Sequence, residues 1–84
     1  MKHFASPEFW DARGRLRPEV QALADKNFAL LKADPRHPSL RLKRVGRHWS
    51  VRIGLRHRAL ATEVEGGLLW FWIGTHSEYN RLPK

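Results

Sequence analysis

The sequence predicts an α+β fold, in which an N-terminal helical hairpin packs on a twisted antiparallel sheet of three to four strands. A change of periodicity along the chain is the first reason. Apolar residues recur every three to four positions before Asp34, as in a helix, and at every second position after Pro38, as in strands. The second reason is a glycine pair, Gly66-Gly67, which is typical of a hairpin turn between strands.

The 84-residue length predicts a single domain over residues 1–84, because a second hydrophobic core would need a longer chain. Hydrophobic residues form 42% and charged residues 29% of the chain, which is typical of a globular protein. There is no cysteine, no signal-peptide core after Met1, and no apolar run near the roughly 20 residues of a membrane-spanning helix. We therefore expect a cytoplasmic protein without disulfides, thiolate metal sites or a membrane partner.

Two helices are predicted in the first third of the chain. Ser6-Pro7-Glu8 supplies a hydroxyl cap, a proline at the first helical position and an acid in the first turn, and Gly14 ends this short helix. Pro18-Glu19 begins a longer helix, and Asp34-Pro35 ends it, because the residue before a proline avoids the helical conformation. Its apolar positions share one face: Val20, Leu23, Ala24, Phe28 and Leu31.

The remaining chain is predicted to be mainly strands. Leu40 and Leu42 alternate with cations, the turn Gly46 to His48 follows, and Trp49 to Leu55 alternates again. Further elements are a strand from Arg58 to Val64, an apolar strand from Leu68 to Ile73 that Gly74 ends, a final helical turn from Ser77 to Leu82, and an edge strand from Lys2 to Ala5.

Positive charge is concentrated in the middle of the chain. The formal net charge is +8, from 16 Lys and Arg against 8 Asp and Glu, and no acid occurs from Pro35 to Thr62. This balance indicates a polyanionic partner, which composition leaves open as nucleic acid, the ribosome, an acidic protein or an anionic membrane.

Strand alternation predicts that part of this positive charge lies on one face of the sheet. If Trp49, Val51, Ile53 and Leu55 face the helices, then Ser50, Arg52, Gly54 and Arg56 share the opposite face of the sheet. Flanked by Lys43, Arg44 and Arg58, such a face suits a phosphodiester backbone, although antiparallel sheets often leave one face solvated.

His76 is the one candidate for proton transfer that the spacing suggests, because it follows the apolar strand and imidazole exchanges protons near neutrality. Tyr79 lies three residues later, within reach if the turn is helical. A structural role for His76 remains the alternative. The sequence contains no His-Glu-x-x-His pattern, no nucleophile elbow and no phosphate-binding glycine loop, so no metal or cofactor is expected.

Four stretches of the sequence together carry a family resemblance, and they lie at Leu30 to Pro35, His37 to Val45, Trp49 to Leu60 and Trp70 to Tyr79. Through them the chain resembles the RelE/ParE superfamily of bacterial toxin–antitoxin toxins over nearly all of its length. The resemblance implies a helical hairpin on a twisted antiparallel sheet. It also implies one of two activities, since RelE-type members cleave mRNA in the ribosomal A site without a metal and ParE-type members poison DNA gyrase.

The resemblance also implies roles for individual residues. Basic groups on the central strands and an imidazole after the last strand correspond to Arg52, Arg58 and His76, with Tyr79 as a fourth catalytic candidate. The histidine after Gly74-Thr75 is similar to that of YafQ-type endoribonucleases, and serine stands at position 50, where RelE itself has lysine. The candidate RNA-binding residues are Lys43, Arg44, Arg47 and Arg56.

The function expected from the sequence is therefore that of a type II toxin that cleaves ribosome-bound mRNA through attack of the ribose 2′-hydroxyl. Its expected partners are mRNA on the ribosome and a cognate acidic antitoxin, whose carboxylates would cover the arginine face. The alternatives are a ParE-like gyrase poison and a catalytically inactive nucleic-acid-binding module with the toxin fold.

Overall fold

The computed structural model describes residues 2–83, so Met1 and Lys84, the two ends of the predicted domain, lie outside the described residues. Within that range the chain forms three helices and five strands. In sequence they are β1 (Lys2–Ala5), α1 (Pro7–Gly14), α2 (Pro18–Ala33), β2 (Lys43–Val45), β3 (His48–Ile53), β4 (His57–Val64), β5 (Gly67–Thr75) and α3 (His76–Arg81). No helix within residues 2–83 is long and apolar enough to cross a membrane.

The five strands form one sheet in the order β1-β5-β4-β3-β2. Strands β2 to β5 are an antiparallel meander, whereas the predicted edge strand β1 pairs in parallel with β5. Gly67 permits this pairing, because a Cβ atom there would collide with the backbone carbonyl of Lys2. The predicted α+β class is confirmed, and β1 adds a fifth strand to the three or four expected.

Local signals place both N-terminal helices as predicted. The Ser6 hydroxyl accepts a hydrogen bond from the Phe9 backbone N–H at 3.3 Å, which caps α1. Arg13 of α1 donates to both carboxylate oxygens of Asp25 on α2, at 3.0 and 2.6 Å. This two-point contact joins the helices into the expected hairpin.

One face of the sheet packs against α1 and α2 and carries the main hydrophobic core. Its largest buried side chain, Trp70, is 1% exposed, and Val51 and Ile53 of β3 lie on the same face. We call the other side of the sheet, which carries Ser50, Arg52 and Arg58, the open face, and α3 lies against it through Tyr79. The core residues are Phe9, Ala24, Leu31, Leu40, Val51, Ile53, Ala59, Ala61, Leu68, Trp70 and Ile73.

Two predicted strand segments are wrong. The strand expected from Leu40 to Lys43 begins only at Lys43, because Pro38 begins a 3₁₀ turn over Pro38–Leu40 in which Leu40 is drawn fully into the core. Leu55 is not buried against the helices: its side chain is 83% exposed, since β3 ends at Ile53. Gly54 therefore lies in a turn with φ of 62° and not at the centre of the sheet face.

The last strand and helix begin earlier or run longer than predicted. Gly74 does not end β5, which continues to Thr75, and α3 begins at His76. The missing side chain of Gly74 has a packing role instead, because a Cβ atom there would lie 2.5 Å from Cζ2 of Trp72. The glycine thus lets the Trp72 ring lie close against the strand just before α3.

Candidate active site

The candidate site lies on the open face at the end of the sheet nearest α3. Strand register places Arg52 of β3 opposite Arg58 of β4, and Arg58 opposite Gly74 of β5. Ser50 and Leu60 form the neighbouring row on the same face. Alternation along β3 therefore brings Ser50 and Arg52 to the open face, as the sequence predicts.

Arg58 is the most constrained cation on this face. Its Nη1 donates to the Ser50 hydroxyl at 3.0 Å, and its guanidinium carbon lies 5.2 Å from the centre of the Tyr79 ring. Its Nε is buried and has no hydrogen-bond partner within residues 2–83, and no carboxylate there forms an ion pair with it. A half-buried guanidinium without a carboxylate partner favours an anion at its accessible nitrogens, because burying an uncompensated charge is costly.

Helix α3 brings Tyr79 and His76 beside Arg58. Tyr79 is 6% exposed, and its ring centre lies 6.0 Å from that of His76, one helical turn earlier. The His76 ring is exposed, and its Nδ1 lies 3.3 Å from the side-chain nitrogen of Asn80. Since an amide nitrogen donates, Nδ1 is the acceptor in this contact, and Nε2 makes no hydrogen bond within the described chain.

The start of α3 is held by a capping box. The Thr75 hydroxyl accepts from the Glu78 backbone N–H at 3.1 Å, while Glu78 accepts from the Thr75 backbone N–H at 2.9 Å and from its hydroxyl at 3.0 Å. These bonds, the backbone one most of all, lower the pKa of Glu78 below its usual value. The His76 N–H donates to the Arg56 carbonyl at 2.7 Å, which ties the first residue of α3 to the β3–β4 turn.

Arg52 lies opposite Arg58 but its guanidinium is engaged elsewhere. Its Nε donates to the Gly54 carbonyl at 2.8 Å, and its own backbone carbonyl accepts from the Asn27 side chain at 3.2 Å. The side chain therefore turns toward the β3–β4 turn, and its remaining donors are free for a phosphate. Within the described chain, Arg52 has no carboxylate partner.

The four candidate RNA-binding residues do not form one cluster. Lys43 lies opposite Ser50 and is exposed, and Arg56 is exposed beside the start of α3. Arg47 is exposed in the β2–β3 turn, at the other end of β3 from the candidate site. Arg44 is paired with Glu63 at 3.1 Å, and Glu63 also accepts from the Trp49 indole at 2.9 Å. Arg44 is thus occupied in a surface ion pair.

Sequence reasoning missed the role of Ser50. It is fully buried, which is unusual for a serine, and its hydroxyl accepts the hydrogen bond that orients Arg58. The period-two pattern placed Ser50 on the same face as Arg52, but it carried no sign that Ser50 would be buried or would accept from Arg58. Within residues 2–83, no group of three or more His, Asp or Glu side chains is placed to hold a metal ion.

The geometry gives this end of the open face the parts of a phosphodiester site. A fixed guanidinium can bind phosphoryl oxygens, and an exposed imidazole with a free nitrogen can transfer a proton. The Tyr79 ring packs against both the guanidinium and the imidazole, at the distances given above. Of the four predicted catalytic residues, Arg58, His76 and Tyr79 are brought together, and Arg52 lies at the rim.

Comparison with known proteins agrees with the fold. The chain is similar to the YoeB/ParE toxin from Agrobacterium tumefaciens, with a TM-score of 0.67 and 19% sequence identity over 90% of this chain and 99% of that chain. No curated protein matches it in sequence. The family model described as "ParE-like toxin domain" matches residues 18–81, which is most of the chain. The chain therefore belongs to the ParE-like toxin domain family, within the RelE/ParE toxin superfamily.

Proposed function

We propose that this toxin is a cytoplasmic mRNA endoribonuclease that cuts transcripts held on the ribosome and so inhibits translation. The observation that carries the proposal is the convergence of Arg58, Tyr79 and His76 at one end of the open face. Membership in the toxin family implies an antitoxin partner, but it leaves the target open between mRNA and DNA gyrase. A proton-transfer group beside a fixed cation is a requirement of RNA cleavage and not of binding alone.

The proposed reaction forms a bond between the ribose 2′-oxygen and the adjacent phosphorus and breaks the bond from phosphorus to the 5′-oxygen. The 2′-hydroxyl proton leaves to solvent, and the products are a cyclic phosphate and a 5′-hydroxyl end. Negative charge grows on the phosphoryl oxygens during this step. Arg58 meets that charge with donors that Ser50 and Tyr79 have already positioned, and Arg52 adds a second guanidinium from the rim.

His76 is the proposed general acid. In its imidazolium form the ring would give the Nε2 proton to the leaving 5′-oxygen and become neutral imidazole, so that this oxygen does not depart as a strongly basic alkoxide. Tyr79 would act through its ring, which packs against the imidazole and the guanidinium and keeps their separation constant. Its burial favours this positioning role over direct contact with RNA.

Dependence on the ribosome follows from the shape of the site. The residues proposed for cleavage lie on a sheet face, so by themselves they make few contacts that could bend an RNA strand into an in-line geometry at the cut. A ribosome that already holds the message in a fixed conformation would provide that alignment. We expect little cleavage of free RNA for the same reason.

The proposed antitoxin is an acidic protein whose carboxylates occupy the phosphate positions. Within residues 2–83, neither Arg58 nor Arg52 forms an ion pair, and Arg56 is exposed beside them. A segment with two or three acids at this end of the open face would satisfy these cations and block access to His76.

Ribosome complexes with a defined message test the proposal. His76→Ala is expected to slow cleavage by about 10²–10⁴-fold, the usual loss when a general acid is removed. His37→Ala is the matched control: His37 caps the 3₁₀ turn that begins at Pro38 and is not among the residues proposed for cleavage, so the variant should cut at the wild-type rate. Arg58→Met should also abolish cleavage, while Arg58→Lys keeps the charge and should retain a fraction of the rate.

A gyrase poison would give the opposite result. Induction of the wild-type toxin would then cause DNA breaks and altered supercoiling while transcripts stay intact, and His76→Ala would remain toxic. A wild-type toxin that leaves ribosome-bound messages uncut would overturn the proposed activity.

A further inference from the structure

A groove of about 750 Å³ lies next to the candidate site and is used by none of the steps above. It is bounded by the α1–α2 turn, the β3–β4 turn and the first residues of α3. His76 lines the groove, so the groove begins where the proposed reaction takes place. Its volume falls within the roughly 300–1,000 Å³ of ligand clefts, which is enough for a nucleotide.

The charge of the groove favours an anion. Arg15 and Arg17 line it from the α1–α2 turn, and Arg56 lines it from the β3–β4 turn. Glu19 is the acid among the lining residues, and it lies 4.0 Å from Arg17 at a highly exposed position. Within residues 2–83, the guanidinium groups of Arg15 and Arg56 form no ion pair. Three arginines around one groove repel each other until an anion binds.

The groove also has an apolar component. Leu16 and Val20 line it from the helical hairpin, and Leu55 lines it from the β3–β4 turn. Leu55 is 83% exposed, the most exposed large apolar side chain among the described residues. Apolar side chains between cations fit a ligand that combines a flat ring with phosphates. A nucleotide of an RNA strand has this composition, with its base on the apolar side chains and its phosphate on the arginines.

We propose that this groove binds the nucleotides on the 3′ side of the cut, with their phosphates on Arg15 and Arg17. This inference rests on the proposed function, because the direction of the strand comes from the role of His76. The 5′-oxygen that receives the proton belongs to the nucleotide downstream of the cut. That nucleotide therefore starts at His76 and leaves the site through the groove that His76 lines.

Messages of different length on the ribosome test the inference. Once the cut is mapped, complexes are prepared with mRNAs that end at successive positions downstream of it. The wild-type toxin should cut more slowly as the downstream nucleotides are removed. The double variant Arg15→Gln/Arg17→Gln should cleave the long message slowly, and shortening the message should reduce its cleavage rate little further. The reason is that the substitutions and the shortening of the message remove the same contact.

The salt dependence of RNA binding gives a readout without cleavage. The probe is a short single-stranded RNA with deoxyribose at the mapped cut, which removes the attacking hydroxyl. Each phosphate contact contributes about 0.7 to the slope of log affinity against log salt, so the double variant should have a slope lower by about 1.4. Between about 50 and 200 mM salt, the wild type would then lose about 7-fold more affinity than the variant.

Matched variants separate a groove effect from a general loss of charge. Lys26→Gln/Arg36→Gln removes two exposed cations outside the groove and should behave as wild type in both experiments. Arg15→Lys/Arg17→Lys keeps the charge and should recover most of the length dependence. Thermal unfolding should be unchanged in all three variants, because these side chains are exposed.

The outcomes distinguish the two proposals. If the wild type cuts but Arg15→Gln/Arg17→Gln is equally fast and equally sensitive to message length, the groove assignment is wrong and the nuclease activity stands. The groove assignment is also wrong if the rate difference between wild type and the variant disappears when the message is shortened upstream of the cut and persists when it is shortened downstream. If the wild type cuts no message, the nuclease and the groove assignment that depends on it are both wrong.

Discussion

The buried hydroxyl of Ser50 gives the sharpest test of how the site is built. Ser50 is fully buried, and its oxygen accepts from Nη1 of Arg58 at 3.0 Å. Ser50→Ala removes this acceptor and leaves a donor of a charged group without its protein partner. The buried Nε of Arg58 already lacks a hydrogen-bond partner among residues 2–83. Ser50→Ala would therefore leave a second nitrogen of the same guanidinium without a protein acceptor.

The magnitude follows from the chemistry of that bond. Hydrogen bonds to charged groups contribute about 1.5–3 kcal/mol, and access of water to the half-exposed Arg58 reduces the loss to about 1–2 kcal/mol. For a domain of this size, that loss lowers Tm by roughly 4–16 °C. The freed guanidinium would also sample other orientations, so cleavage should slow even where the protein is fully folded.

A double-mutant cycle measures the effect. Thermal or urea unfolding and ribosome-bound cleavage are compared for wild type, Ser50→Ala, Arg58→Met and the double variant. We expect Ser50→Ala to cost stability and rate in the presence of Arg58, and to cost much less in the Arg58→Met background, where the hydroxyl has no guanidinium to orient. Equal effects of Ser50→Ala in both backgrounds would refute the idea that the hydroxyl acts through Arg58.

Further predictions concern the elements that hold the site and the sheet edge. Thr75→Ala removes the cap of α3 and should cost about 0.5–2 kcal/mol in unfolding free energy, with a larger loss of cleavage because α3 carries His76. The pKa of Glu78 is lower in the folded state than in the unfolded state. Its stabilising effect is therefore complete above the unfolded-state pKa and disappears as pH falls through the lowered value. The stability difference between wild type and Glu78→Gln should accordingly shrink, and not grow, on acidification from neutral pH. Gly67→Ala places a Cβ against the Lys2 carbonyl and should cost about 1–3 kcal/mol, as overpacking does, whereas Gly14→Ala, with open space around it, should cost nothing measurable by urea unfolding.

Those parts of the fold that depend on neighbouring residues were predictable from the sequence. The cap at Ser6, the end of α2 at Asp34 and the alternation of β3 are set by contacts within a few positions. The two errors have different causes. Leu40 lies in a 3₁₀ turn because distant packing takes its side chain into the core, whereas Leu55 is exposed because the chain turns locally at Gly54.

The candidate site shows the same division. Alternation placed Ser50 and Arg52 on one face, and the register then brought Arg58 into the same area. The sequence could not show that Arg44 is held by Glu63, nineteen positions later, or that Arg15 and Arg17 lie near His76. Their charge is visible in the sequence, but their partners are not.

The amino-acid sequence by itself determined the order of helices and strands, the basic character of the chain and the family resemblance. It did so because caps, breakers and apolar periodicity act over a few residues, and charge is independent of conformation. Only the tertiary structure decided that β1 joins β5 in parallel, that Ser50 orients Arg58, and that a basic groove continues from His76. Each of these contacts joins residues of different elements, so the packing of the whole fold, and not a pattern within a few residues, decides which side chains meet.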